Sequence, residues 1–173
     1  MSQIVTGADG IEYVVEPKAD LSQADLRNLN LFQANLINAD FSESTLMNIN
    51  FRNSHLQGSN FNGTDLRNAY LMGAYMEGIK LNFAILSGMN LNSFDFTKAE
   101  LRYTNLDFTD LQDAILNNSD MKGASLYQAD LSRTQLVGAD LSDSNITEAI
   151  LSGANLTNAN VSFCNLSNTV LDS

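Results

Sequence analysis

The sequence predicts an all-β solenoid, a chain of very short strands wound around its own axis. The first observation behind this is a period of five. With the large central residue of each unit called position i, 31 units follow one another from Ala19 to Ser173 without a slip in phase. Of these i positions 23 are Leu, four are Phe (Phe41, Phe51, Phe61, Phe96), two are Met, and the others are Ile146 and Val161. The second is that position i−2 is small, Ala in 15 units and Ser, Thr or Cys in 11 more. The third lies at i+2, which holds eight of the ten glycines and eight asparagines. Self-similarity at a fixed period outranks any local propensity.

A period of five excludes the simpler alternatives. On an α-helix each step of five rotates by about 140°, so the leucines would spiral around it instead of forming a stripe. On a flat strand an odd period sends successive leucines to opposite faces. Positions i−2 and i can share a side within one unit, and a corner must absorb the odd step to the next. The chain therefore alternates short strand and corner, and must wind. Gly and Asn at i+2 are the residues that accept the positive φ at the third position of a type II turn. Asp or Asn at i−1, present in 19 units, suits side-chain bonds to turn backbone.

The units read A-(D/N)-L-x-x, and over about nine-tenths of the chain this resembles the pentapeptide-repeat family. The resemblance, not the periodicity, implies a right-handed quadrilateral β-helix with four units per coil. The 31 units then make about eight coils, a tower roughly 37 Å tall at one strand spacing per coil.

In chain order, residues 1–18 stand outside the repeat and are expected to form an N-terminal cap, and residues 19–173 the β-helix. Ile11–Val15 reads as a strand following the Gly7–Gly10 turn, placed to cover the first coil. The only proline, Pro17, precedes the repeats, as an unbroken backbone ladder requires. Five i−2 positions are oversized: Leu29, Ile49, Ile79, Met89 and Phe94. Three of them share one coil with Phe96, so an irregularity is expected between Ile79 and Lys98, since overpacking costs about 1–3 kcal/mol. The repeat runs in register to its last Leu, Leu171. Phe163 and Val170 add apolar surface nearby, which leaves two readings, a homodimer through the C-terminal coil or a frayed polar end.

Composition narrows the function. A net charge of −11 argues against direct contact with nucleic acid or an anionic membrane. No apolar run is long enough to span a bilayer, and the first ten residues lack a basic start and an apolar stretch, so a cytoplasmic protein without a membrane span is expected. Cys164, the single cysteine, excludes an internal disulfide and reads as a small filler among Ala and Ser equivalents. His55, the single histidine, sits at an outward position where hydrogen bonding suits it better than base catalysis. Metal-ligand spacing, a phosphate-cradling loop and a nucleophile elbow are all missing, so neither an enzyme nor a cofactor is expected.

Two surfaces are candidates for an unknown protein partner. The first is the edge carrying Phe83, Ile85, Tyr103 and Phe108, with Tyr70 and Tyr75 a weaker counterpart. Aromatic residues where Gly or Asn is usual either contact a partner or cover the oversized coil beside them. The second is an acidic face with Asp20, Asp40, Glu100, Asp120, Asp140 and Asp143, interrupted by Asn60, Lys80 and Asn160. Its net charge is −4, against −2, −2 and −1 on the other faces. Some members of the family mimic duplex DNA and act on DNA gyrase, so the resemblance implies a DNA-mimicking binder of gyrase or another DNA-binding protein as the alternative function. The repeats carry −9 over roughly 37 Å, less than half the charge density of a duplex. A solvated acidic face is the simpler account.

Overall fold

The computed structural model describes residues 3–171. Two strands, β1 (Gln3–Thr6) and β2 (Glu12–Val15), form an antiparallel hairpin in which Gln3 faces Val15 and Thr6 faces Glu12. The strand expected at Ile11–Val15 thus has a partner that the residues before it supply. Val15 is buried, and Val5 and Tyr13 pack against the core. The hairpin loop is tied to the first coil by the Ala8 N–H, which donates to the Asp25 carbonyl at 2.8 Å, and Asp9 accepts from the Tyr13 hydroxyl at 2.7 Å.

From Asp20 onward each strand pairs in parallel with its equivalent one coil further along the chain, Asp20 with Asp40 and Asp25 with Thr45. One wall reads Asp20, Asp40, Asn60, Lys80, and a second stretch of the same wall Glu100, Asp120, Asp140, Asn160; the remaining bridges fall on three further walls. This is a quadrilateral β-helix. A regular unit with Asp or Asn at i−1 accounts for all five of its amide protons. At i−1 the N–H donates to the coil below (Asp40 to the Ala19 carbonyl, 2.8 Å), and at i and i+2 to the coil above (Leu21 to Asp40, 2.7 Å; Gln23 to Ser42, 2.9 Å). The next N–H at i−2 closes the corner, as Ala39 does to the Leu36 carbonyl at 2.9 Å. The N–H at i+1 remains, and the Asp or Asn at i−1 accepts it: Ser42 N–H meets Asp40 at 2.9 Å, Thr97 meets Asp95 at 2.8 Å. That is why i−1 so often carries a short carboxylate or amide.

Leucines at i fill the interior, and the small side chains at i−2 fit beside them. Hydroxyls there bond to backbone, as Ser54 does to the Phe51 carbonyl and Thr109 to that of Leu106, except Ser144, whose hydroxyl meets the Cys164 sulfur at 3.3 Å. Phe41 and Phe61 stack at 4.6 Å between centroids, and Phe51 meets both edge-on. Corners take φ near +60° at i+2 whatever the side chain: Gln23 at 57°, Phe83 at 61°, Tyr103 at 55°, Phe108 at 60°. Ser173, the last such position of the repeat, lies outside the described residues.

One turn departs from the rule, and the ladder breaks around it. Asn68 lacks the positive φ that every other described i+2 position of the repeat adopts. Below Asp65 the ladder is missing: Thr45 and Asp65 form no bridge, and Leu46 and Asn48 do not donate upward. On the next two walls the gap lies above the chain, and Tyr70–Asn90 and Tyr75–Asp95 are absent while Tyr70 and Tyr75 still pair with the coil beneath. Residues 64–76 therefore follow their upper neighbour as far as Leu66 and their lower one from Tyr70, while the residues on either side bond to both. The coil between Ile79 and Lys98, where an irregularity was expected, keeps its corners and its bonds to the coil above. Its lower edge lifts away, at Met89 and Phe94. A coil of fixed circumference that is overfilled can only separate from its neighbour.

Leu106, 2% exposed, lies in the regular part of the tower. Leu106→Ala should lower unfolding stability by about 2–5 kcal/mol, whereas Asn105→Ala, on the outer side of the same strand, should cost much less. Urea unfolding followed by far-UV circular dichroism measures both.

Candidate functional site

Phe83, Tyr103 and Phe108 are 63%, 53% and 56% exposed, and all three occupy corners. Equivalent corner residues on successive coils are separated by a single strand spacing, close to the distance at which aromatic rings stack. Phe83 and Tyr103 accordingly lie parallel, with centroids 5.3 Å apart and planes 12° from each other. Stacking worth about 0.5–1.5 kcal/mol offsets much of the roughly 1–2 kcal/mol that left-handed backbone costs a residue with a Cβ. Tyr103 also overlies Gly123, where a Cβ would come within 2.5 Å of the ring.

Phe108 stands on the neighbouring corner and meets Tyr127 edge-on at 5.4 Å. Tyr127 belongs to this surface and escaped the sequence reading, because it sits at i+1 and no periodic preference is violated there. Ile85 is half-buried in the wall between the two corners, bridged to Asp65 and Asn105. The structure therefore places three of the four expected residues at two corners, Phe83 with Tyr103 on one and Phe108 with the additional Tyr127 on the other, and the fourth, Ile85, in the wall between them. Tyr70 and Tyr75 are elsewhere, with the Arg52 guanidinium 4.5 Å above the Tyr70 ring and His55 stacked on Tyr75 at 4.7 Å.

The acidic residues Asp20, Asp40, Glu100, Asp120 and Asp140 share one wall. Its middle is neutralised: Lys80 pairs with Glu100 at 3.7 Å, Arg102 with Asp120 at 2.5 Å, and Lys122 with Asp143 at 3.2 Å. At the ends, Asp20 and Asp140 are held below the usual carboxylate range. The Ser22 hydroxyl does this for Asp20, and the Ser142 backbone N–H leads for Asp140. Asn60 and Asn160, which looked like interruptions, donate to Asp40 and Asp140 at 3.0 Å. Among the described residues no group of three or more potential metal ligands comes together, and no helix is long and apolar enough to cross a membrane. In the last coil Phe163 is 88% exposed and Leu171 60%. Cys164 is half-buried and donates to the Leu141 carbonyl at 2.9 Å.

Two outcomes follow from this geometry. Gly78→Ala places a Cβ in open space at φ +64° and should cost about 1 kcal/mol; Gly123→Ala should cost more, because the Tyr103 ring must also move. Thermal unfolding of the two variants measures the difference. Asp140, with its folded pKa lowered, contributes stability that is complete above the unfolded value of about 3.9 and lost as pH falls through the folded value. The stability gap between the native chain and Asp140→Asn should therefore be constant at neutral pH and shrink below about pH 4, as urea titrations across that range will read.

Several solved structures are similar to this chain. A pentapeptide repeat protein (Rfr23) of the cyanobacterium Cyanothece 51142 is 27% identical, with 71% of this chain and 91% of that one covered and a TM-score of 0.39. HetL, a pentapeptide repeat protein involved in heterocyst differentiation regulation in Nostoc sp. strain PCC 7120, is 26% identical over 89% of this chain and 87% of its own, at a TM-score of 0.30. QnrB1, a plasmid-mediated fluoroquinolone resistance protein, is 18% identical, with 91% and 81% covered and a TM-score of 0.43. No curated protein sequence matches. The family pattern of pentapeptide repeats matches in eight copies, over residues 18–53, 49–88, 74–107, 104–143 and 134–172. With its walls, corners and core arranged as a right-handed quadrilateral β-helix, the chain belongs to the pentapeptide-repeat family.

Proposed function

We propose that this protein is a rigid, non-enzymatic scaffold that binds another protein through the aromatic corners carrying Phe83, Tyr103, Phe108 and Tyr127. The observation that carries the reading is the Phe83–Tyr103 stack, solvent-exposed and held on left-handed backbone. Rings fixed by the ladder lose little freedom on binding, and aromatic anchors of this kind dominate contact energies. The interior supports the rigidity, because buried Leu and Phe dominate it.

A DNA-mimicking role against gyrase or another DNA-binding protein draws on the acidic wall. It has less support, because Lys80, Arg102 and Lys122 interrupt that wall with ion pairs. Affinity capture with the native protein and two variants separates the readings. Tyr103→Ala with Phe108→Ala should abolish the specifically retained partner, and Glu100→Lys with Asp120→Lys should leave it. The reverse pattern, together with inhibition of supercoiling by purified gyrase at micromolar protein, would replace the scaffold with the mimic.

A further inference from the structure

The gap in the wall above residues 69–76 is a built opening. A cleft of about 940 Å³ lies there, lined among others by Tyr70, Met72, Gly73, Tyr75, Met89 and Phe94, within the range of ligand sites. It reaches the interior. From Ala39 to Ala149 every i−2 position is buried except Ala69, Ala74, Met89 and Phe94, the four that face one another across it.

Its two lips carry unused strand groups as far as the Gly78 N–H, which donates to the Thr97 carbonyl at 2.9 Å and closes the far end. On the lower lip the amides of Leu71, Gly73 and Met76 donate to no backbone or side-chain acceptor, and the carbonyls of Ala69 and Ala74 accept nothing. On the upper lip the amides of Asn90 and Asp95 and the carbonyls of Asn90, Asn92 and Asp95 are equally free. In the regular tower these are the groups that join one coil to the next. Separated, each lip is an open parallel edge, and such edges recruit extended chains.

We propose that this opening accepts an extended segment of a partner protein, which enters as a parallel strand and bonds both lips at once. The chemistry of the segment follows from the lining. Met89 and Phe94 already fill the inside, so its inward residues are small or β-branched. Gly73, at φ +74°, turns the lower lip, so the segment needs Gly or Asn beside it. Arg52 stands over the Tyr70 ring at one end, beside Arg67, which is already paired with Asp65 at 2.7 Å, and Glu77 and Asp95 stand at the other. A parallel strand therefore presents an acidic residue first and a basic one last. This site opens on the walls of Tyr70 and Tyr75, away from the Phe83–Tyr103 corner, and reaches the Phe108 corner only one coil below it, at Gly88.

The test is amide hydrogen exchange by NMR on the full chain, free and with a synthetic peptide, Ala-Glu-Val-Ser-Gly-Ala-Lys-Val. In the free protein the amides of Leu71, Gly73, Met76, Asn90 and Asp95 should exchange about a hundredfold faster than those of Leu91, Ser93, Phe96, Asp110 and Ile115, which make the corresponding bonds one coil higher. The peptide should slow the first five, and the same peptide with Glu and Lys exchanged should bind about tenfold more weakly. Met89→Ala with Phe94→Ala should close the wall, slow the five amides without peptide and abolish binding. If that variant does not fold, the comparison on the native chain still decides. Slow exchange of the five in the free protein, no binding at about 1 mM peptide, binding that leaves them unprotected, or equal binding of the exchanged peptide would each overturn the proposal. Phe83→Ala with Tyr103→Ala should leave peptide binding unchanged, so this site and the scaffold surface can fail separately.

Discussion

The parallel hydrogen-bond ladder, closing on itself once per coil, is the constraint on which the rest of this structure depends. A coil cannot be lengthened or shortened without moving every backbone group out of line with the coils above and below. Its circumference is therefore set, and so is the volume it encloses. That accounts for the monotony of the interior, where Leu at i and a small side chain at i−2 fill the same space over and over. The corners follow the same lattice: left-handed backbone at i+2 recurs on Phe83 and Tyr103 as readily as on Gly78, while the bond that closes the turn is kept even around Asn68, where the Ala69 N–H donates to the Leu66 carbonyl at 2.8 Å.

When a coil receives more side chain than its volume allows, the ladder yields. Ile79, Met89, Phe94 and Phe96 share one coil, and the wall separates beneath Met89 and Phe94 rather than bulging. The separation does not simply ring the tower. It lies below the chain at Asp65 and above it at Tyr70, and the change of side passes through Asn68, the one described corner of the repeat without positive φ. A single loss of corner geometry and a single overfilled coil are two ends of the same defect.

The outer skin follows the same lattice. Equivalent side chains on successive coils stand one strand spacing from each other, so aromatic residues stack, as in Phe83–Tyr103 and His55–Tyr75, and opposite charges pair, as in Lys80–Glu100. A solenoid of this kind does not build a pocket from converging loops. Its contact surfaces are columns on the walls and corners, and openings where the ladder fails.

The sequence by itself determined the winding, the buried set and the corner positions, because a period of five allows no other way to keep leucines on one side. Its oversized side chains at i−2 also located the strained coil, and its aromatic side chains at i+2 located Phe83 and Tyr103. Tertiary structure alone decided the pairing of Arg102 with Asp120 and of Lys122 with Asp143, since these contacts join different units on adjacent coils. It alone decided that Asn68, by type among the residues most at ease in left-handed backbone, would be the one to abandon it. The physical reason is that local preference acts within a unit, whereas ladder register is settled between coils, where the bulk of Met89 and Phe94 that holds their coil away from Ala69 and Ala74 outweighs what any single corner prefers.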